Sequence, residues 1–398
     1  MRSGRTVVGT TIATTSLIAL AVLCASGSVM AAQDEFTAPR TDLVILPYAN
    51  YGSDLGLGLG LNGALYLRDF GWSPYRYAMR AQAYATTGGL QNHTLGFDAP
   101  RLAGSFWRPQ VELGYFREAH HPYYGPGNRT DPPVPPGQDP DSYLAFDLRT
   151  WHGAASAHAT LAPGWNVGGQ YSLRLSSVDA APTSLLRKRE PVGAHGGTTS
   201  QVEAEVNYDT RDIESMPIRG SLMTLALRLA EPLIGSTFRF AGATLALHRY
   251  QALFDLGPRL VVAGRVVFDG VVGDVPVELM PRFGGHVPAL EGLGGDASVR
   301  GLDRFRYTGK VRLFGNGEIR SRLARFYVGV RSLDVWITTF CDVGRVWANW
   351  APDGPLWLVH ASAGGGVRLA WVEDYVLRFD AGRSEGGWRM YVEFGQAF

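Results

Sequence analysis

The stretch "DLGLGLGLNGALYLRD" (54–69) decides the fold. Within it, Gly58-Leu59-Gly60-Leu61-Asn62-Gly63 spells G-x-G-x-x-G, the fingerprint of a dinucleotide-binding loop. That loop requires a helix behind it and an acidic residue about twenty positions further on. Here the chain meets Gly71 and Pro74 before a helix could form, and Met79, Arg80 and Gln82 stand where the carboxylate belongs. Leu55, Leu57, Leu59, Leu61, Leu65 and Leu67 all fall at even spacing, with Gly, Asn, Ala and Tyr between them. A period of two is the spacing of a strand, not of a helix. The segment reads as a strand with one apolar face.

Arg2 and Arg5 precede an apolar run from Ile12 to Leu23, and small residues at Val29 and Ala31 follow it. This reads as a cleaved secretory signal over 1–32, then a short segment over 33–41, then one domain over 42–398. After the signal only Cys341 remains, so no intramolecular disulfide is expected. A net charge of +1 argues against nucleic acid as a partner. No later run of eighteen apolar residues offers a transmembrane helix.

The alternation recurs along the chain. Tyr77, Met79, Ala81 and Ala83 oppose Arg80, Gln82 and Tyr84, and Val202, Ala204, Val206 and Tyr208 oppose Gln201, Glu203, Glu205 and Asn207. Tyr375, Leu377 and Phe379 oppose Arg378 and Asp380. Charges of both signs sit in mid-strand beside glycines. A polar lumen accommodates such a face, and the apolar face then meets lipid. About sixteen strands fit between residue 42 and the end, and an even number is what closes a bacterial barrel. The fold class expected is all-β, a single antiparallel transmembrane barrel. The last strand, "GWRMYVEFGQAF", places Phe394 and Phe398 on one face with Trp388 and Met390. Such a terminus looks like the C-terminal targeting signal of outer-membrane barrels.

Four motifs go beyond a generic porin. "DTRDIESMPIRG" carries Asp209, Arg211, Asp212, Pro217 and Gly220, and "GGDASVRGLDRF" carries Val299, Arg300 and Gly301. "GNGEIRSRL" places Asn316 and Glu318 on one strand face, and "FCDVGRVW" places Phe340, Asp342 and Gly344 on another. By parity Glu318 and Asp342 both point inward. In this order the motifs resemble the BamA/TamA superfamily of outer-membrane assembly and translocation proteins, also called bacterial surface antigens. The resemblance implies sixteen strands, a sixth extracellular loop folded into the lumen, and Arg300 of that loop paired with Glu318 and Asp342. It departs at Leu302, where the family carries an aromatic, although Phe305 follows closely. It departs also before residue 42, where the segment is too short for the family's periplasmic POTRA domains. The resemblance implies a lateral seam between first and last strands, and Pro47 and Gly395 would weaken it.

The expected role is insertion or translocation of proteins or lipids at the outer membrane. Expected partners are membrane lipid and lipopolysaccharide, unfolded outer-membrane or secreted proteins, and a separate periplasmic docking protein. A passive channel partly plugged by its inner loop is the alternative. The patterns H-E-x-x-H, C-x-x-C and the P-loop are missing from the chain, and no catalytic residue, cofactor or metal is expected. A hydrolase built from distant rim residues is a third reading. "SLLRKREPVG" (184–193) reads as a solvated loop or a lipopolysaccharide contact, and the proline-rich stretch 118–143 as an external loop.

Overall fold

The computed structural model describes residues 39–398 apart from 71, 73, 102–104, 254–259, 286–291, 329–330, 352 and 372–374. The expected signal (1–32) and most of the segment 33–41 lie outside the described residues. The chain forms β1 (Arg40–Gly52), β2 (Gly56–Arg68), β3 (Tyr77–Thr86), β4 (Leu90–Asp98), β5 (Trp107–Pro122) and β6 (Ala145–Ala162). It continues through β7 (Trp165–Asp179), β8 (Gly196–Asp209), β9 (Arg219–Ala230), β10 (Phe240–Ala252) and β11 (Leu260–Gly273). β12 (Val311–Val328), β13 (Arg331–Trp347), β14 (His360–Trp371), β15 (Tyr375–Ser384) and β16 (Gly387–Phe394) complete it. Each strand pairs antiparallel with its neighbours in sequence, and β1 meets β16, which gives a closed sixteen-stranded barrel.

The stretch that spells G-x-G-x-x-G is the core of β2, paired along its length with β1 from Arg40↔Arg68 to Gly52↔Gly56. Glycine in its inward row leaves room for rings: a Cβ on Gly58 or Gly60 would collide with Tyr84 or Tyr48. Those two tyrosines stack on each other, with centroids 5.8 Å apart.

Polarity is inverted relative to a water-soluble sheet. Outward residues such as Leu43, Leu59, Leu95 and Leu113 are exposed, whereas the largest fully buried side chains include seven arginines. An apolar belt outside and charge inside is the pattern of a membrane barrel. The even-numbered strands end on the rim of the chain termini, joined by short turns such as 163–164. The opposite rim carries the long connections, and the sixth of these, 274–310, joins β11 to β12. The proline-rich stretch divides between the two: Glu118–Pro122 belong to β5, and only 123–144 connect.

Candidate functional site

β12 and β13 build the floor of the site. They pair in register through Asn316↔Asp342 and Glu318↔Phe340, so the inward rows of the two strands lie side by side. Arg312, Phe314, Asn316, Glu318 and Arg320 on one strand, and Trp336, Thr338, Phe340 and Asp342 on the other, are all buried.

Arg300, from the connection 274–310, reaches this floor and is fully buried. Its Nε and Nη2 donate to the two oxygens of Asp342, at 2.8 Å each, and Nη1 donates to Glu318 Oε1 at 2.6 Å. Its backbone N–H donates to Asp342 at 3.1 Å, and its guanidinium lies 3.5 Å from the ring centroid of Phe340. A planar fork fits two carboxylates and a ring face at once, which an ammonium cannot do. Burial pulls the Arg300 pKa down, but the charges of Asp342 and Glu318 and the bond to Asp342 outweigh it, so the group is held well above its ordinary value.

The neighbours fix the tip of the loop. Asn316 Nδ2 donates to Ser298 O at 2.6 Å and to Asp342 Oδ1 at 2.8 Å. Val299 is buried among Leu293, Leu302, Tyr307 and Phe314. At Gly344 a Cβ would meet the Leu293 methyls at 2.9 Å, so glycine there lets Leu293 sit against the wall. Gly301 has φ +101°, and its N–H donates to Tyr391 Oη at 3.3 Å. Phe305, at φ 55°, packs on His121 with centroids 4.9 Å apart.

Sequence reasoning missed a third carboxylate. Asp380 on β15 accepts from Arg300 Nη1 at 3.2 Å and from Arg368 Nη1 at 2.5 Å. Glu318 accepts from Arg320 Nε at 2.7 Å, and Arg378 Nη2 donates to Asp296 of the connection at 2.7 Å. The inward parity of Asp380 and Arg378 was visible in the sequence, but nothing local ties that face to Arg300. A second anchor was also missed. Arg312 donates to Asp269 and to the carbonyls of Met280 and Arg282, while Arg228 Nη1 donates to Asp269 at 2.8 Å. Gly285 N donates to Glu203 at 3.1 Å, so the same connection is held at its other side on β8.

The D-x-R-D motif lies elsewhere, at the turn between β8 and β9. Arg211 pairs with Asp209 at 2.8 Å, and Asp212 Oδ1 accepts from the N–H groups of Ile213, Ile218 and Arg219. Pro217 lies within this turn, and Gly220, at φ +104°, opens β9. The motif shapes a turn and makes no contact with Arg300 among the described residues.

The seam is thin. Among the described residues β1 and β16 pair only as Tyr51↔Val392 and Gly52↔Tyr391, while β1 pairs with β2 through thirteen residues. Ser53 adds three bonds to Met390: its N–H and its Oγ each donate to Met390 O at 3.2 Å, and its Oγ accepts from Met390 N at 3.0 Å. Among the described residues, Pro47 faces no partner strand on the β16 side.

The terminus corrects the sequence reading. β16 ends at Phe394, and Phe398 does not continue its outward face. Gly395, at φ +82°, turns the chain and donates its N–H to Val376 O at 2.8 Å. Phe398 is buried against Tyr250, with the Arg265 guanidinium 4.9 Å from its ring centroid. Arg320 Nη2 donates to Phe398 O at 3.0 Å and Arg265 Nη1 to Ala397 O at 3.2 Å. Period-two parity holds only while the backbone stays extended, and a left-handed glycine ends it.

A family model for the Omp85 superfamily domain matches residues 78–371. Among solved structures, BamA from Haemophilus ducreyi lacking POTRA domains 1–3 is 15% identical, with a TM-score of 0.63 over 89% of this chain and 70% of that one. CdiB from Escherichia coli is 12% identical, with a TM-score of 0.57 over 88% of this chain and 62% of that one. CdiB from Acinetobacter baumannii is 12% identical, with a TM-score of 0.52 over 90% and 65%. The chain thus spans less than two thirds of either CdiB. No curated relative matches in sequence.

Proposed function

The chain belongs to the Omp85 superfamily of bacterial outer-membrane barrels, and from that premise we propose that it inserts or translocates proteins at the outer membrane through its β1–β16 seam. The observation that carries this reading is the seam itself: beside the Ser53–Met390 bonds two residue pairs hold it, and among the described residues no strand pairs with β1 from Thr41 to Ala49 on that side. An unpaired edge is a template for another strand. In lipid, unmet N–H and C=O groups cost several kcal/mol each, so the edge favours an incoming strand that meets them. Arg300, held by Asp342, Glu318 and Asp380, acts as the lock that keeps the connection 274–310 on the inner wall while the seam works. Lipid, lipopolysaccharide and unfolded outer-membrane or secreted chains are the partners this role calls for.

The test is reconstitution into liposomes, with the insertion rate of an unfolded test barrel measured with and without the protein. Faster insertion that is lost when the seam is closed by a disulfide supports the role. No acceleration would overturn it and move the reading to a passive channel.

A further inference from the structure

The two halves of the lumen are filled differently. On β12–β15 the inward rows carry arginines and carboxylates that meet the connection 274–310. On β3–β8 one inward row runs Arg80, Gly96, Glu112, Ala154, Ser172 and Gln201, each residue directly paired with the next across adjacent strands. Three of these six side chains are small, so the wall is hollowed along a single ladder row. The neighbouring row adds Gln110, Ser156 and Gln170, again paired strand to strand. Arg282, Phe283 and Gly285 of the connection cover the hollow, and a cavity of about 230 Å³ remains between them and the wall.

The charged groups of this groove already have partners. Arg80 and Arg108 bind Asp98 at 3.1 and 2.6 Å, Arg228 binds Asp269 at 2.8 Å, and His152 faces Glu112 at 3.5 Å. Arg174 and Arg282 sit in the field of the buried Glu278. Uncharged donors and acceptors line the middle: Gln110, Ser156, Gln170, Ser172, Thr199 and Gln201. Thr199 is 1% exposed, and among the described residues its Oγ1 has no hydrogen-bond partner, nor do His152 Nδ1 and Glu112 Oε2. Buried polar atoms of this kind call for a partner, because leaving one unmet costs about 1–3 kcal/mol.

We propose that this groove is a binding site for a small neutral polyhydroxylated solute, of sugar-alcohol or monosaccharide size. A hydroxyl both donates and accepts, as do the amide and hydroxyl side chains that face it, so a polyol can satisfy mixed orphans along a row. Paired charges leave no net field to draw an ion. The volume lies below the roughly 300–1,000 Å³ of pockets that take larger ligands. The site is independent of the seam and of the role proposed for it.

Saturation-transfer NMR on the whole protein in zwitterionic micelles tests this with sorbitol, and with gluconate and glucosamine as charged probes of similar size. Sorbitol is expected to show transfer, with both ions about tenfold weaker or more. Ser172→Trp fills the floor of the groove and should abolish the sorbitol signal while the barrel keeps its heat-modifiable gel mobility. If that variant does not fold, the double variant Gln170→Ala, Gln201→Ala keeps the space and removes the amides, and should weaken binding about tenfold. Absence of sorbitol transfer, equal binding of the ions, or binding unchanged in a folded variant would each overturn the proposal.

Discussion

Gly301 and Gly382 meet backbone to backbone: a Cβ on Gly301 would lie 3.0 Å from the Gly382 carbonyl carbon, and one on Gly382 would lie 2.9 Å from that of Arg300. The tip of the connection 274–310 therefore rests directly on β15, which is what lets Arg300 reach Asp380 as well as Glu318 and Asp342. Gly382→Val should lift the tip off the wall and weaken all three ion pairs together. Gly301→Ala adds a left-handed penalty of about 1–2 kcal/mol to the same clash. Thermal unfolding in detergent should fall for both, and an unchanged midpoint would show that the contact carries no stability.

Arg300→Ala leaves three buried carboxylates short of a cation, and breaking a buried pair in this way costs about 3–5 kcal/mol. Arg300→Lys should recover little, because one ammonium cannot bond Asp342 through two atoms and also reach Glu318. Urea unfolding of the two variants checks this. A lysine variant as stable as the parent would mean that charge alone, without fork geometry, holds the loop.

The register Tyr51↔Val392, continued, would bring Ala49 opposite Phe394. In a Cys341→Ser background, Ala49→Cys with Phe394→Cys is expected to cross-link under oxidation whenever the seam zips by two further residues. Test-barrel insertion should then stop and resume on reduction. Cross-linked protein that still accelerates insertion would remove the seam from the mechanism.

Deleting Phe398 should do two separable things. It removes a ring packed on Tyr250 and Arg265, so the purified barrel should melt lower, and loss of a buried aromatic costs about 3–5 kcal/mol. If the terminus is also a targeting signal, the amount assembled in the membrane should drop further than Tyr250→Ala makes it drop. Equal losses in the two variants would assign Phe398 a packing role alone.

Asp54, in the turn between β1 and β2, has its pKa raised to about 6, first by burial and then by the charge of Asp303. It lies 3.7 Å from Arg389 on β16, which also pairs with Asp303. An acid whose folded pKa exceeds its unfolded one holds more protons when folded, so its contribution is greatest below the unfolded value of about 4 and declines as pH rises through the folded one. Hydrogen exchange at the Ser53 and Met390 amides should therefore quicken as pH rises through about 6, after correction for the intrinsic rate. Asp54→Asn should flatten that dependence, and a parent profile already flat would exclude Asp54 as its source.

Alternation is a local property of extended backbone, so the strands, their inward faces and the parity of Glu318 and Asp342 were all legible in the sequence. The resemblance then directed Arg300 toward those two acids. What a long connection touches is set by closure of the whole barrel, and no short window contains it. That is why Asp380, Gly382 and the anchor of Arg312 on Asp269 appeared only in three dimensions. The terminus shows the same limit from the other side: "FGQAF" keeps perfect period-two spacing, yet one left-handed glycine carries Phe398 into the lumen. Sequence determined which face each strand turns inward. Tertiary structure decided what meets that face, because burial of charge is settled only when distant partners arrive together.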